Sequence, residues 1–132
     1  MKTQEQIDEI QATLAAANGT ENYHRTSLFS RFIFHTDGVE YMANACGAYW
    51  LLDAIISHQT KARVRVEPFQ VWKLKVKSGK ASLTCGDGNG RELARQSIPY
   101  TDFPLAEITL YLENGSLDGV HTVKVLMLPG ER

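Results

Sequence analysis

Cysteine is scarce: Cys46 and Cys85 are the only two in 132 residues. Two cysteines do not read as a disulfide framework. One lies in an apolar helical stretch and the other ends an apolar strand pattern, so both read as buried thiols of a reducing compartment. There is no Cys-x-x-Cys, and none of the four histidines stands one helical turn from another. The spacing therefore offers no metal site, and no cofactor is expected. A phosphate-binding glycine loop and an activated nucleophile are also missing, which weakens an enzyme reading. No apolar run is long enough to span a membrane. The polar, acidic start does not resemble a secretory signal. A cytoplasmic protein without membrane contact is the expectation. Repeats, low-complexity tracts and internal linkers are absent, so residues 1–132 read as one domain.

Charge of one sign is lacking overall, with a net of −1, but its distribution is uneven. Residues 1–58 hold three basic and seven acidic side chains, a net of −4. Residues 59–132 hold eleven basic and eight acidic, a net of +3.

What is present centres on residues 34–58. Asp37 is a candidate N-cap with Glu40 at capping-box spacing, and Thr36 competes one residue earlier. Val39, Met42, Ala43, Cys46 and Trp50 recur at helical spacing. From Ala48 to Ile56 the stretch is apolar nearly all round, which marks a buried helix. Gly47 bends it or splits it in two. His58 falls in the last turn, where a protonated imidazole would meet the negative end of the helix dipole.

Residues 1–18 read as an N-terminal helix. Thr3 and Gln6 form a capping box, and Ile7, Ile10 and Leu14 make a thin apolar stripe. Asn18-Gly19 stops it in left-handed geometry. Residues 20–26 read as a polar loop, and Phe29, Phe32, Ile33 and Phe34 as a short extended approach to the central helix. From residue 59 the period changes to two. Lys61, Arg63 and Arg65 alternate with Ala62, Val64 and Val66, and Trp72, Leu74 and Val76 alternate with Lys73, Lys75 and Lys77. Ser78-Gly79 and Gly86-Asp-Gly-Asn-Gly90 are turns. The latter is too short for a calcium loop and lacks the closing glutamate. Further strands fall at 91–98, at Ile108, Leu110 and Leu112, and at Val123, Val125 and Met127. The fold expectation is α+β: a helix at 1–18, a loop and central helix at 19–58, and an antiparallel meander of four to five strands over 59–132.

Three groups of motifs follow one another: Gly19-Thr-Glu-Asn-Tyr-His-Arg25, Thr36-Asp-Gly-Val-Glu-Tyr41 and Gly47-Ala-Tyr-Trp-Leu-Leu-Asp53; then Phe69-Gln-Val-Trp-Lys-Leu74 and Leu83-Thr-Cys-Gly-Asp-Gly-Asn-Gly90; then Ile98-Pro-Tyr-Thr-Asp-Phe-Pro-Leu105, Leu110-Tyr111 and Asn114-Gly115. In this order they resemble a small family of bacterial, phage and plasmid proteins that share a domain of unknown function. Against that pattern, residues 116–124 look inserted before Leu126-Met-Leu-Pro129. The resemblance implies a common fold and an accessory setting on mobile elements. It brings no activity and no catalytic residues.

Three functions are weighed. The first is a protein-binding or inhibitory module, with the stripe of the N-terminal helix as one contact and a homodimer as a sub-case. The second is nucleic-acid association through the basic stretch 61–80. There Arg63, Arg65, Lys73, Lys75 and Lys77 face a single acid, Glu67, and strand alternation spaces the lysines about 7 Å apart. Against it stand the near-neutral charge and the alternative of a solvated face whose lysines block aggregation. This reading gains if those cations share a face with Tyr100 or Tyr111. The third is a small enzyme whose pocket gathers His24, His35, Asp37 and Asp53, with a histidine as base and Asp37 orienting it. Helix capping already accounts for Asp37. Asp53, among Leu51, Leu52, Ala54 and Ile55, either lies on a wet edge or pairs with Arg25, Arg31 or His24.

Overall fold

The computed structural model describes residues 2–27 and 30–132, and of Ser27, Ser30 and Arg31 the backbone alone. Phe29 and the side chain of Arg31, both invoked above, lie outside the described residues. The elements run α1 (Gln4–Ala16), β1 (Tyr23–Ser27), β2 (Ser30–Thr36), α2 (Asp37–Cys46), α3 (Tyr49–His58), α4 (Ala62–Arg65), β3 (Phe69–Lys77), β4 (Lys80–Gly86), β5 (Glu92–Ile98), β6 (Glu107–Gly115) and β7 (Val123–Met127), followed by a 3-10 turn at Pro129–Glu131.

The α+β class is observed, but the sheet is larger than the expected meander. Among the described residues seven strands join in the order β1-β2-β7-β6-β3-β4-β5. Nor is it wholly antiparallel, because β2 pairs with β7 in parallel, Phe34 opposite Val125. Two features hid this. Residues 23–27 are polar on both alternating faces, as an edge strand permits, and so read as a loop. The meander is also broken before the last strand: β6 pairs with β3 and not with β5, and β7, its antiparallel neighbour, then joins β2.

The stretch 61–66 is also corrected. It is a single helical turn, with Arg65 N–H on Lys61 O at 2.9 Å and Val66 N–H on Ala62 O at 3.0 Å. Six alternating residues suit either period. Burial separates them: Val64 is fully buried while Val66 is 69% exposed.

Capping fixes the helix ends. The Thr3–Gln6 box is present in α1. That helix then ends on an extended Ala17 rather than in a left-handed Asn-Gly. Thr36, not Asp37, caps α2, its hydroxyl accepting from Val39 N–H. Gly47 closes α2 in the left-handed region at φ 60°, so the central stretch is two helices. His58 lies in the last turn of α3, as expected, and is buried there between Gln96 and Lys61.

All four helices contribute to one core. Ile10, Met42, Leu52, Ile55 and Val64 meet Trp72, Leu74, Leu83, Leu110 and Leu112 there. Each buried leucine is worth about 1.5–3 kcal/mol of transfer free energy. The register places Trp72, Cys85 and Leu110 side by side on the helix-facing side, and Lys73, Thr84 and Thr109 side by side on the opposite side. The sheet thus has a covered face and an open one.

Candidate functional site

The open face is built by alternation on β3. Gln70, Trp72 and Leu74 go inward, and Val71, Lys73, Lys75 and Lys77 outward. Antiparallel pairing then sets Tyr111 beside Val71, Thr109 beside Lys73 and Glu107 beside Lys75. On the other flank Thr84 adjoins Lys73, Ser82 adjoins Lys75 and Lys80 adjoins Lys77. A depression of about 550 Å³ lies here, with Val71, Lys73, Thr84, Thr109, Tyr111, Gly88, Gly90 and Arg91 among its lining. Its glycine wall is the predicted turn. Asp87 accepts from the N–H groups of Asn89 and Arg91, and Gly88 and Gly90 adopt φ 84° and 91°. A side chain at Gly88 would also press on the Phe69 ring at 3.1 Å.

Aromatic rings share this face. Phe69 packs edge-on against Tyr111 with centroids 5.0 Å apart. The Arg132 guanidinium lies 4.2 Å over the Phe69 ring and pairs with Glu113. Toward β1 the register continues the face through Val125 and Phe34 to Arg25.

A second constellation lies on the other side of the sheet. His24 and His35 are direct cross-strand partners on β1 and β2, and their rings stack at 5.3 Å and 18°. His24 Nε2 is 2.8 Å from Asp37 Oδ1. His35 Nδ1 is 2.9 Å from Thr26 Oγ1, and its Nε2 is 3.1 Å from Glu40 Oε2. The Tyr49 hydroxyl donates to Glu40, at 3.0 Å to the nearer oxygen. Asp37 also accepts from the N–H groups of Glu21 and Asn22, which draws the chain before β1 onto α2. The hydrogen bond with His24 is the main reason the Asp37 carboxyl falls to about 2. Burial lowers the pKa of His35, and the Glu40 hydrogen bond offsets part of that. Burial works to raise Glu40, but the hydrogen bonds from His35 and Tyr49 hold it below the usual range.

Of the sequence candidates, Lys73, Lys75 and Lys77 lie together on the open face with Tyr111. Arg63 and Arg65 do not join them. They sit on α4, where Arg63 donates to Glu92 O and Arg65 to Gln59 O and Thr60 O. Tyr100 stands in the β5–β6 connector, outside the sheet. His24, His35 and Asp37 meet; Asp53 is exposed on α3, away from them. The stripe of α1 is spent on the core, with Ile10 buried and Ile7 and Leu14 packed beside it.

Residues 8–132 match a family of unknown function, DUF6876. The chain belongs to this family. The match runs from within α1 to the last residue and so takes in both faces of the sheet. No curated protein and no solved structure matches the chain.

Sequence reasoning overlooked Glu40, Thr26 and Tyr49 beside the histidines, and Phe69 and Arg91 beside the lysines. In the sequence Glu40 reads as a capping-box residue. No local signal pairs the histidines: His24 lies in a stretch polar on both faces, and an irregularity between Arg25 and Ser27 shifts its register with β2.

Proposed function

We propose that the open sheet face binds single-stranded nucleic acid. The observation that carries this reading is the shared face of Lys73, Lys75, Lys77 and Tyr111, with the depression between Tyr111 and Arg91 beside it. Lysines on alternate residues of a strand stand about 7 Å apart, a row along which a phosphate backbone can lie. Aromatic side chains on an exposed sheet give bases a surface to stack on, worth about 1–3 kcal/mol per base. Neither element requires a positive molecule overall. The combination of cations and aromatic rings favours single strands, because a duplex hides its bases in the stack. Arg132, already lying over Phe69, supplies a further planar cation for stacking.

The test is fluorescence anisotropy with a labelled single-stranded oligonucleotide at low salt, on wild type, on Lys73→Glu/Lys75→Glu/Lys77→Glu and on Tyr111→Leu. Saturable binding that is lost in the triple variant and weakened in Tyr111→Leu supports the proposal. Equal affinity in all three proteins contradicts it.

A second reading is supported by the far end of the sheet. Phe32 is 61% and Tyr23 49% exposed, and β1 is an edge strand. Large exposed aromatics beside an unpaired edge suit a protein partner, including a second copy of the chain. An inhibitory or accessory role on a mobile element fits this reading. Its test is capture of a discrete host protein by nuclease-treated wild type, with loss on Phe32→Ser; capture unchanged by that substitution counts against it.

A further inference from the structure

We infer that His24, His35 and Glu40 form a binding site for one divalent transition-metal ion, zinc being the default for such donors. One ligand atom from each residue lies within 4.8 Å of the other two. Donors around a tetrahedral zinc ion stand about 3.3 Å apart, as zinc–nitrogen and zinc–oxygen bonds of about 2.0–2.2 Å require. Binding therefore requires side-chain rotations that draw the three donors together.

The surroundings match what a metal histidine needs. A ligating imidazole is held through its other ring nitrogen by a carboxylate, a carbonyl or a similar acceptor. Thr26 Oγ1 stands at His35 Nδ1, and Asp37 holds the His24 ring through Nε2. When Nδ1–H of His35 donates to Thr26, Nε2 presents a lone pair toward Glu40 Oε2, 3.1 Å away. Two acceptors at that separation need a proton or a cation between them. When Nε2–H of His24 donates to Asp37, its Nδ1 lone pair is free to ligate. Tyr49 fixes the Glu40 carboxylate from the other side.

The site is also reachable. His35 is buried, with 4% of its side chain exposed, but His24 and Glu40 are 35% and 34% exposed, which leaves an entry path and room for water at a remaining position. Two imidazoles, one carboxylate and an open position are the donor set of reactive rather than purely structural zinc sites. Linear spacing could not reveal it. Two ligands pair across strands, and the third comes from the first turn of α2.

The experiment is titration of the metal-free, tag-free full chain with zinc chloride by calorimetry, and with cobalt(II) chloride by visible absorption. The proteins are wild type, His24→Ala, Glu40→Gln and, as a control, His121→Ala, which removes the exposed His121–Asp118 pair. His24 and Glu40 are chosen because replacing buried His35 risks unfolding; circular dichroism verifies the fold of each variant. The expected result is one zinc ion per wild-type chain, affinity lower by about tenfold or more in His24→Ala and Glu40→Gln, and no change in His121→Ala. Absence of stoichiometric binding to folded wild type overturns the inference. So does binding that follows His121, or that is indifferent to His24 and Glu40.

Discussion

Gln59 and Gln70 exchange amide hydrogen bonds in the core: Gln59 Nε2 donates to Gln70 Oε1 at 2.9 Å, and Gln70 Nε2 donates to Gln59 Oε1 at 3.0 Å. Trp72 Nε1 donates to the same Gln70 oxygen, and Gln70 Nε2 also reaches Val64 O. This polar knot fastens the end of α3 and the turn of α4 to β3. Among the described residues every buried side-chain nitrogen and oxygen has a partner, so the knot is fully satisfied. Breaking it exposes the cost of burial.

Gln70→Leu removes both ends of that exchange and leaves Trp72 Nε1 and Gln59 Oε1 unpaired, while Gln59 Nε2 keeps its bond to Ile55 O. A loss of about 2–4 kcal/mol in unfolding free energy is expected from these orphaned buried groups. Urea denaturation measures it. A change below about 0.5 kcal/mol, the range of a neutral surface substitution, rejects this role.

Glu131 ties the end of the chain to the start of α2. Its carboxylate accepts from Thr36 Oγ1 at 2.6 Å, Gly38 N–H at 3.2 Å and Leu128 N–H at 3.0 Å. Glu131→Ala should lower stability by about 1–2 kcal/mol, as for loss of a helix cap. Gly38→Ala should also destabilise, because its Cβ would come within 2.7 Å of Leu128 Cδ1 and Glu131 Oε1. Thermal unfolding of each variant decides: a higher midpoint for Gly38→Ala would mean that helix propensity outweighs the clash.

Much of this fold was legible because alternation is a local signal. Trp72, Leu74 and Val76 against the lysines gave β3 its faces without any partner in view. Strands β1 and β2 and the parallel seam were not legible. Tyr23-His-Arg-Thr is polar on both faces, and whether Val123–Met127 pairs with Ile33–His35 depends on contacts about ninety residues away in the chain. Arg63 and Arg65 misled for the same reason, since six residues do not separate a period of two from a helical turn.

Cys46 and Cys85 are held protonated by burial, which pushes their thiols to about 11 and about 12. Thiol reagents at pH 8 should label native protein far more slowly than urea-unfolded protein. The linked effect on stability has a defined sign. The unfolded thiols ionise near pH 9 while the native ones keep their protons, so stability is full below pH 9 and falls as pH rises toward 11–12. Cys85→Ala should flatten that decline relative to wild type in denaturation series from pH 8 to about 10.5, between the ordinary and the raised pKa. An equally steep decline in the variant would assign it to other groups.

Arg65 donates to Gln59 O and Thr60 O at the end of α3, so its charge serves the helix terminus. Arg65→Ala should cost about 1 kcal/mol of stability. Oligonucleotide affinity should stay within about twofold, since α4 is off the open face and the electrostatic contribution of one distant charge is screened. A drop as large as that of a Lys73 substitution would place α4 in the binding surface.

The most direct measurement is the salt dependence of single-strand affinity in wild type and in Lys73→Ala/Lys75→Ala/Lys77→Ala. Each phosphate neutralised on a single strand contributes about −0.7 to the slope of log K against log salt. Three lysines on one open strand should therefore give wild type a slope steeper by about 2 than that of the triple variant. Equal slopes, or no binding by wild type at low salt, would contradict a nucleic-acid role for this face.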